Sequence, residues 1–87
     1  MLSERLSNAI DAQINHELYS GYLYLSMAAY FDGESLPGFA RWMRAQAAEE
    51  QAHALKFYDY VYERGGTVTL SAIDGPATDF ASPLDVF

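Results

Sequence analysis

Cysteine is absent from this 87-residue chain. That removes disulfides and thiolate ligands, and leaves carboxylate, imidazole and water for any metal site. Such a donor set suits iron, manganese or zinc. Basic residues are scarce: five Lys and Arg against twelve Asp and Glu give a formal net charge of −7, which repels phosphate backbones and argues against nucleic-acid binding. Cations are the partners this balance favours. No uncharged stretch is long enough to span a bilayer, and Met1-Leu2-Ser3-Glu4-Arg5 lacks the basic start and apolar run of a signal peptide. The expectation is a cytoplasmic protein with no membrane contact. Repeats and low-complexity segments are missing too, and half the residues are hydrophobic, with seven Tyr, five Phe and one Trp. The chain is therefore expected to pack as part of one small domain rather than to stay disordered.

The apolar pattern is helical. From Ser3, an N-cap candidate, to about residue 32, the positions Leu6, Ile10, Ile14, Gly21, Tyr24, Ala28 and Phe31 share a stripe that one charge, Glu17, interrupts. Glycine inside a helix costs about 1 kcal/mol relative to alanine, so Gly21 on that stripe predicts close approach of a neighbouring helix. Asp32-Gly33-Glu34-Ser35 reads as a turn, with Ser35 as N-cap and Pro37 in the first turn of a second helix from about residue 36 to about 64. Gly65-Gly66 ends it, with Arg64 near the negative end of the helix dipole. Its stripe is Phe39, Met43, Gln46, Glu50, His53, Phe57 and Tyr60, apolar at both ends and polar in the middle. Residues 65–82 read as an extended crossover, and Ser82-Pro83-Leu84-Asp85 opens a third helix over 83–87. A helix beginning there implies the N-terminal part of a longer domain, or a chain that completes its core with another copy.

Two long helices joined by a short turn predict an all-α fold, an antiparallel hairpin forming half of a four-helix bundle. Glu17 and Glu50 each lie about 16 residues from the turn centre, hence roughly 25 Å from it at 1.5 Å per residue. His53 follows one turn beyond Glu50 on the same face. A core-facing stripe seldom tolerates carboxylates and an imidazole at one level without a partner, and a metal ion supplies one. Bundles with one Glu from each of two helices and Glu-x-x-His from each of the others are di-iron carboxylate proteins, and this hairpin carries half that set. Glu49 places a further acid beside the cluster. The alternative is a hydrogen-bonded polar network that only sets register, in a helical assembly module that completes its bundle by self-association. His16, turned about 100° from Glu17, reads as a surface residue, and Asp11, Asp59 and Glu63 as a solvated face.

Across essentially its whole length the chain resembles the first half of a prokaryotic non-haem ferritin. The resemblance is carried by Ala12-Gln13-Ile14-Asn15-His16-Glu17-Leu18-Tyr19-Ser20, Tyr22-Leu23-Tyr24-Leu25, Gly38-Phe39-Ala40-Arg41-Trp42-Met43, Glu49-Glu50-Gln51-Ala52-His53-Ala54 and Glu63-Arg64-Gly65-Gly66. It implies a ferritin-like four-helix bundle, iron storage and detoxification, and a ferroxidase centre that oxidises ferrous iron with oxygen or peroxide. By the same resemblance Glu17, Glu50 and His53 bind the first iron and Glu50 bridges to the second. Glu49 belongs to an accessory iron site, and Tyr24 is the tyrosine beside the centre. The expected partners are iron, oxygen and other copies of the chain, in a shell of 24 subunits that holds ferric mineral. Haem is not expected, because haem-binding relatives place a Met where Gln51-Ala52 stands here. The remaining second-iron ligands of the family lie beyond residue 87.

Overall fold

A computed structural model describes residues 2–86. Helix α1 spans Glu4–Gly33, α2 spans Pro37–Glu63 and a short α3 spans Pro83–Val86. Among the described residues there is no strand, and no helix is long and apolar enough to cross a membrane. The fold is all-α, with α1 and α2 packed as an antiparallel hairpin.

Local chemistry sets the helix ends. Ser3, in extended conformation, accepts a hydrogen bond from the Leu6 N–H at 3.1 Å and so caps α1. At the far end the Leu36 N–H donates to the Phe31 carbonyl at 2.9 Å and the Ser35 N–H to that of Asp32 at 3.2 Å, closing a Schellman motif. Its left-handed position, ordinarily a glycine's, is held by Ser35 at φ 58°. Left-handed at that point, Ser35 does not cap α2; the cap position is Leu36, which makes no side-chain cap bond and is followed by Pro37. The same motif ends α2, with the Gly66 N–H bonded to the Val61 carbonyl at 2.9 Å and Gly65 left-handed at φ 75°. Beyond the end of α2, the Arg64 guanidinium sits over the Tyr60 ring at 4.9 Å.

The core is split in two. Near the turn, Ala28, Phe31, Ala40 and Met43 pack with Val86 of α3. At the open end of the hairpin, Ile10, Ile14, Ala54 and Val61 form a second cluster with Leu2, Leu18, Phe57 and Val68 against it. The face of α2 that meets α1 differs from the stripe read in the sequence. Ala40, Met43, Ala54 and Val61 are buried, whereas Phe39 is 48% and Tyr60 36% exposed. Small side chains explain the rotation. A Cβ on Gly21 would stand 3.3 Å from the Ala47 carbonyl oxygen, so glycine against alanine lets the two backbones close, and the bulky aromatics turn to the edge. Trp42 is also half exposed.

Residues between α2 and α3 run back along α1 without regular structure. Asp11 accepts from the Thr69 N–H at 3.3 Å, so it is not simply solvated. Asn15 donates to Ser71 Oγ at 3.1 Å and to the Ala72 carbonyl at 3.0 Å, and the Ser26 hydroxyl donates to the Ala77 carbonyl at 2.6 Å. Phe80 then meets Tyr30 edge-on at 5.4 Å between centroids. The connection thus returns the chain to the turn end, where α3 starts and inserts Val86. Of the stretch 83–87, Phe87 lies outside the described residues.

Candidate metal centre

Between the two apolar clusters lies a polar layer. Glu17 on α1 and Glu50 and His53 on α2 each bring one ligand atom to within 4.8 Å of the others. Among the described residues this is the one group of three or more such side chains that converges. Gly21, one turn from Glu17, makes the approach possible: a Cβ there would stand 3.4 Å from that of Glu50. The Glu17 side chain is 13% exposed and that of His53 50%, so the group is closed towards the hairpin and open on one side. It opens into a recess of about 480 Å³ lined also by Gln13, His16, Ser20, Tyr24 and Met27.

The hydrogen bonding is specific. Gln13 Nε2 donates to Glu17 Oε1 at 2.9 Å, while His53 Nδ1 faces Glu17 Oε2 at 3.6 Å, an ion-pair separation too long for a hydrogen bond. Glu17 is held below the ordinary carboxylate pKa, chiefly by a hydrogen bond from Glu50, with Gln13 and His53 adding to it against the opposing effect of burial. Glu50 is held above it, first because it is the proton-bearing partner of that bond, then through burial and the negative charge of Glu17; His53 and His16 pull weakly the other way. The two carboxyls thus push each other's pKa apart, Glu17 favouring its charged form and Glu50 its neutral one.

This arrangement gives stability a maximum in pH. The contribution of Glu17 is present above the ordinary carboxylate value and is lost as pH falls through its lowered pKa. That of Glu50 is present below the ordinary value and is lost as pH rises through its raised pKa. The metal-free protein should therefore melt highest between the two and lose stability towards neutrality. Circular-dichroism melts over about pH 3 to 8 should show this, and Glu50→Gln should remove the neutral-side fall. An unchanged fall in that variant would contradict its assignment to Glu50.

Two carboxyls brought together beside an imidazole are a donor set that fits a borderline divalent ion such as iron(II), manganese or zinc. Glu49 is exposed and is not part of the converging group. Tyr24 is half-buried and lines the recess beside Met27. His16, read as a surface residue, is exposed but stands at the rim, close enough for its charge to act on Glu50. The residue that sequence reasoning passed over is Gln13; the signal was its spacing of four from Glu17, which puts an amide over a carboxylate on one helix face.

Known proteins share this fold. A profile of the ferritin-like domain matches residues 7–87. The bacterial non-heme ferritin of Bacteroides fragilis is 47% identical over all 87 residues, which make up 55% of its length. That of Staphylococcus saprophyticus is 42% identical, again over the whole of this chain and over 52% of its own. Among solved structures, an engineered closed form of the Archaeoglobus fulgidus ferritin superposes with a TM-score of 0.96 at 51% identity, covering 99% of this chain and 52% of the other. The open-pore ferritin of the same archaeon gives 0.94 at 52% identity, covering 98% and 52%. The chain spans about half the length of the relatives it matches.

Proposed function

The chain belongs to the ferritin family, and from that premise we propose that it is the part of a non-haem ferritin subunit that holds the first iron position of a ferroxidase centre. The whole protein would oxidise ferrous iron and keep the ferric product inside a cytoplasmic shell of its own copies, 24 in number. What carries this reading is the convergence of Glu17, Glu50 and His53 to within 4.8 Å in the polar layer of the hairpin.

Iron is here substrate and cargo. Glu17, Glu50 and His53 bind the ferrous ion, and Glu50 reaches towards a second whose other ligands belong to the rest of the bundle. Glu17 and Glu50 bind as carboxylates, which favour the more highly charged ferric product. Two ferrous ions give up one electron each, and dioxygen takes both electrons together with two protons. Tyr24 stands along the recess beside these groups. Glu49, one position along α2 and facing away, handles iron after oxidation.

A second reading has its own observation. Phe39 and Trp42 near the turn and Tyr60 towards the open end are 48%, 51% and 36% exposed, apolar side chains that further helices would cover, whether from a longer chain or from a second copy in an assembly module. Ferrous titration under argon followed by admission of oxygen distinguishes the two. The ferroxidase reading expects oxygen-dependent oxidation in fixed proportion to protein, read by absorbance, and Glu49→Ala should leave the first event intact and alter later turnovers. No oxidation above the protein-free rate would leave the assembly module.

A further inference from the structure

The two oxygens of Glu17 do not have equivalent surroundings. Oε1 accepts a hydrogen bond from the uncharged amide of Gln13 at 2.9 Å, whereas Oε2 faces His53 Nδ1 at 3.6 Å. The last torsion of a glutamate is broad and roughly two-fold, so nothing within Glu17 itself chooses which oxygen points where. A donor anchored one helical turn earlier does choose. The bond is charge-assisted, and the Glu17 side chain is only 13% exposed, so water is a poor substitute for the amide.

We propose that Gln13 is a positioning residue that holds the Glu17 carboxylate by Oε1, so that Glu17 offers a metal ion one oxygen, Oε2, on the side of His53. The proposal rests on the metal-binding reading above and adds to it how one ligand is presented. Chain geometry makes glutamine the fitting side chain at this position. Asparagine is one methylene shorter, leucine fills similar space without a donor, and glutamate would set another carboxylate against Glu17. The amide also does not titrate, so its hold on Oε1 does not vary with pH. Partners behind ligands act in this way in metal sites generally, orienting the ligand and raising affinity.

Zinc, which is redox-inert, is the probe. The whole chain and its Gln13→Leu and Gln13→Asn variants are titrated by calorimetry, and infrared difference spectra are taken between zinc-loaded and zinc-free protein. Bands lost in Glu17→Gln belong to Glu17. Their splitting between antisymmetric and symmetric carboxylate stretches is wide when one oxygen binds and narrow when two do. The parent should show the wide splitting; both Gln13 variants should show a narrowed one and bind zinc about tenfold more weakly, with helix content retained. Parental splitting and affinity in both variants would overturn the proposal while leaving the metal site intact. Failure of the parent to take up zinc would instead remove the reading on which it rests. Loss of helix in both variants would make Gln13 a packing residue, and the proposal would fall.

Discussion

Glu50→Gln and His53→Ala should each slow rapid ferrous oxidation by more than about a hundredfold, the upper end of what losing a mere partner behind a ligand costs, while the helical spectrum stays at the parental level. Both substitutions remove a group that would hold iron, and neither opens the core. Glutamine keeps the shape of Glu50 and supplies an N–H donor to Glu17, as the neutral form of Glu50 does, so the contact with Glu17 survives in the metal-free state. His53 has half its side chain in solvent, so truncation leaves no sizeable cavity and should change stability by less than about 1 kcal/mol. Stopped-flow absorbance after mixing with ferrous iron in air measures the first effect and circular dichroism the second. Parental oxidation rates in both variants would show that iron reacts elsewhere.

Widening the helix–helix contact at the level of the site should have the next largest effect. A single added carbon at Gly21 already stands 3.3 Å from the Ala47 carbonyl oxygen and 3.4 Å from the Glu50 Cβ. Gly21→Leu must therefore push α2 away where it carries Glu50, and overpacking of this kind costs about 1–3 kcal/mol, offset in part by about 1 kcal/mol of helix propensity gained on replacing glycine. Stability should fall modestly. Metal affinity should fall further, by about tenfold or more, because about 1.4 kcal/mol lost in holding Glu17 and Glu50 together is a factor of ten in binding. Gly21→Ala asks its neighbours to give only a few tenths of an ångström and should stay near the parent in both respects. Thermal melts and zinc calorimetry on the pair provide the comparison. A leucine variant that binds zinc like the parent would mean that the close approach does not set the site.

Much of this was legible in the residues. Spacing along one helix fixes what shares its face, so the helical pattern, the Ser3 cap, the Gly65-Gly66 stop and the common level of Glu17, Glu50 and His53 follow from counting, since rise per residue is constant. Gly21 announced its own role, because a mid-helix glycine needs a reason and close approach is the usual one. The rotation of α2 about its axis did not follow from counting. Its apolar sector is broad enough to include both the Phe39–Tyr60 row and the Ala40–Val61 row, and only contact with α1 selects the second, where small side chains let the backbones meet. Ser35 shows the same limit: Gly33 stood nearby as the obvious left-handed residue, yet the hydrogen bonds that close α1 fall two positions later. The sequence by itself determined which side chains could meet; the tertiary structure decided how they meet. It turned Glu49 outward, brought Glu50 against Glu17 and gave one oxygen of Glu17 to Gln13. Those outcomes depend on the rotation and separation of two helices, which no single-helix periodicity encodes.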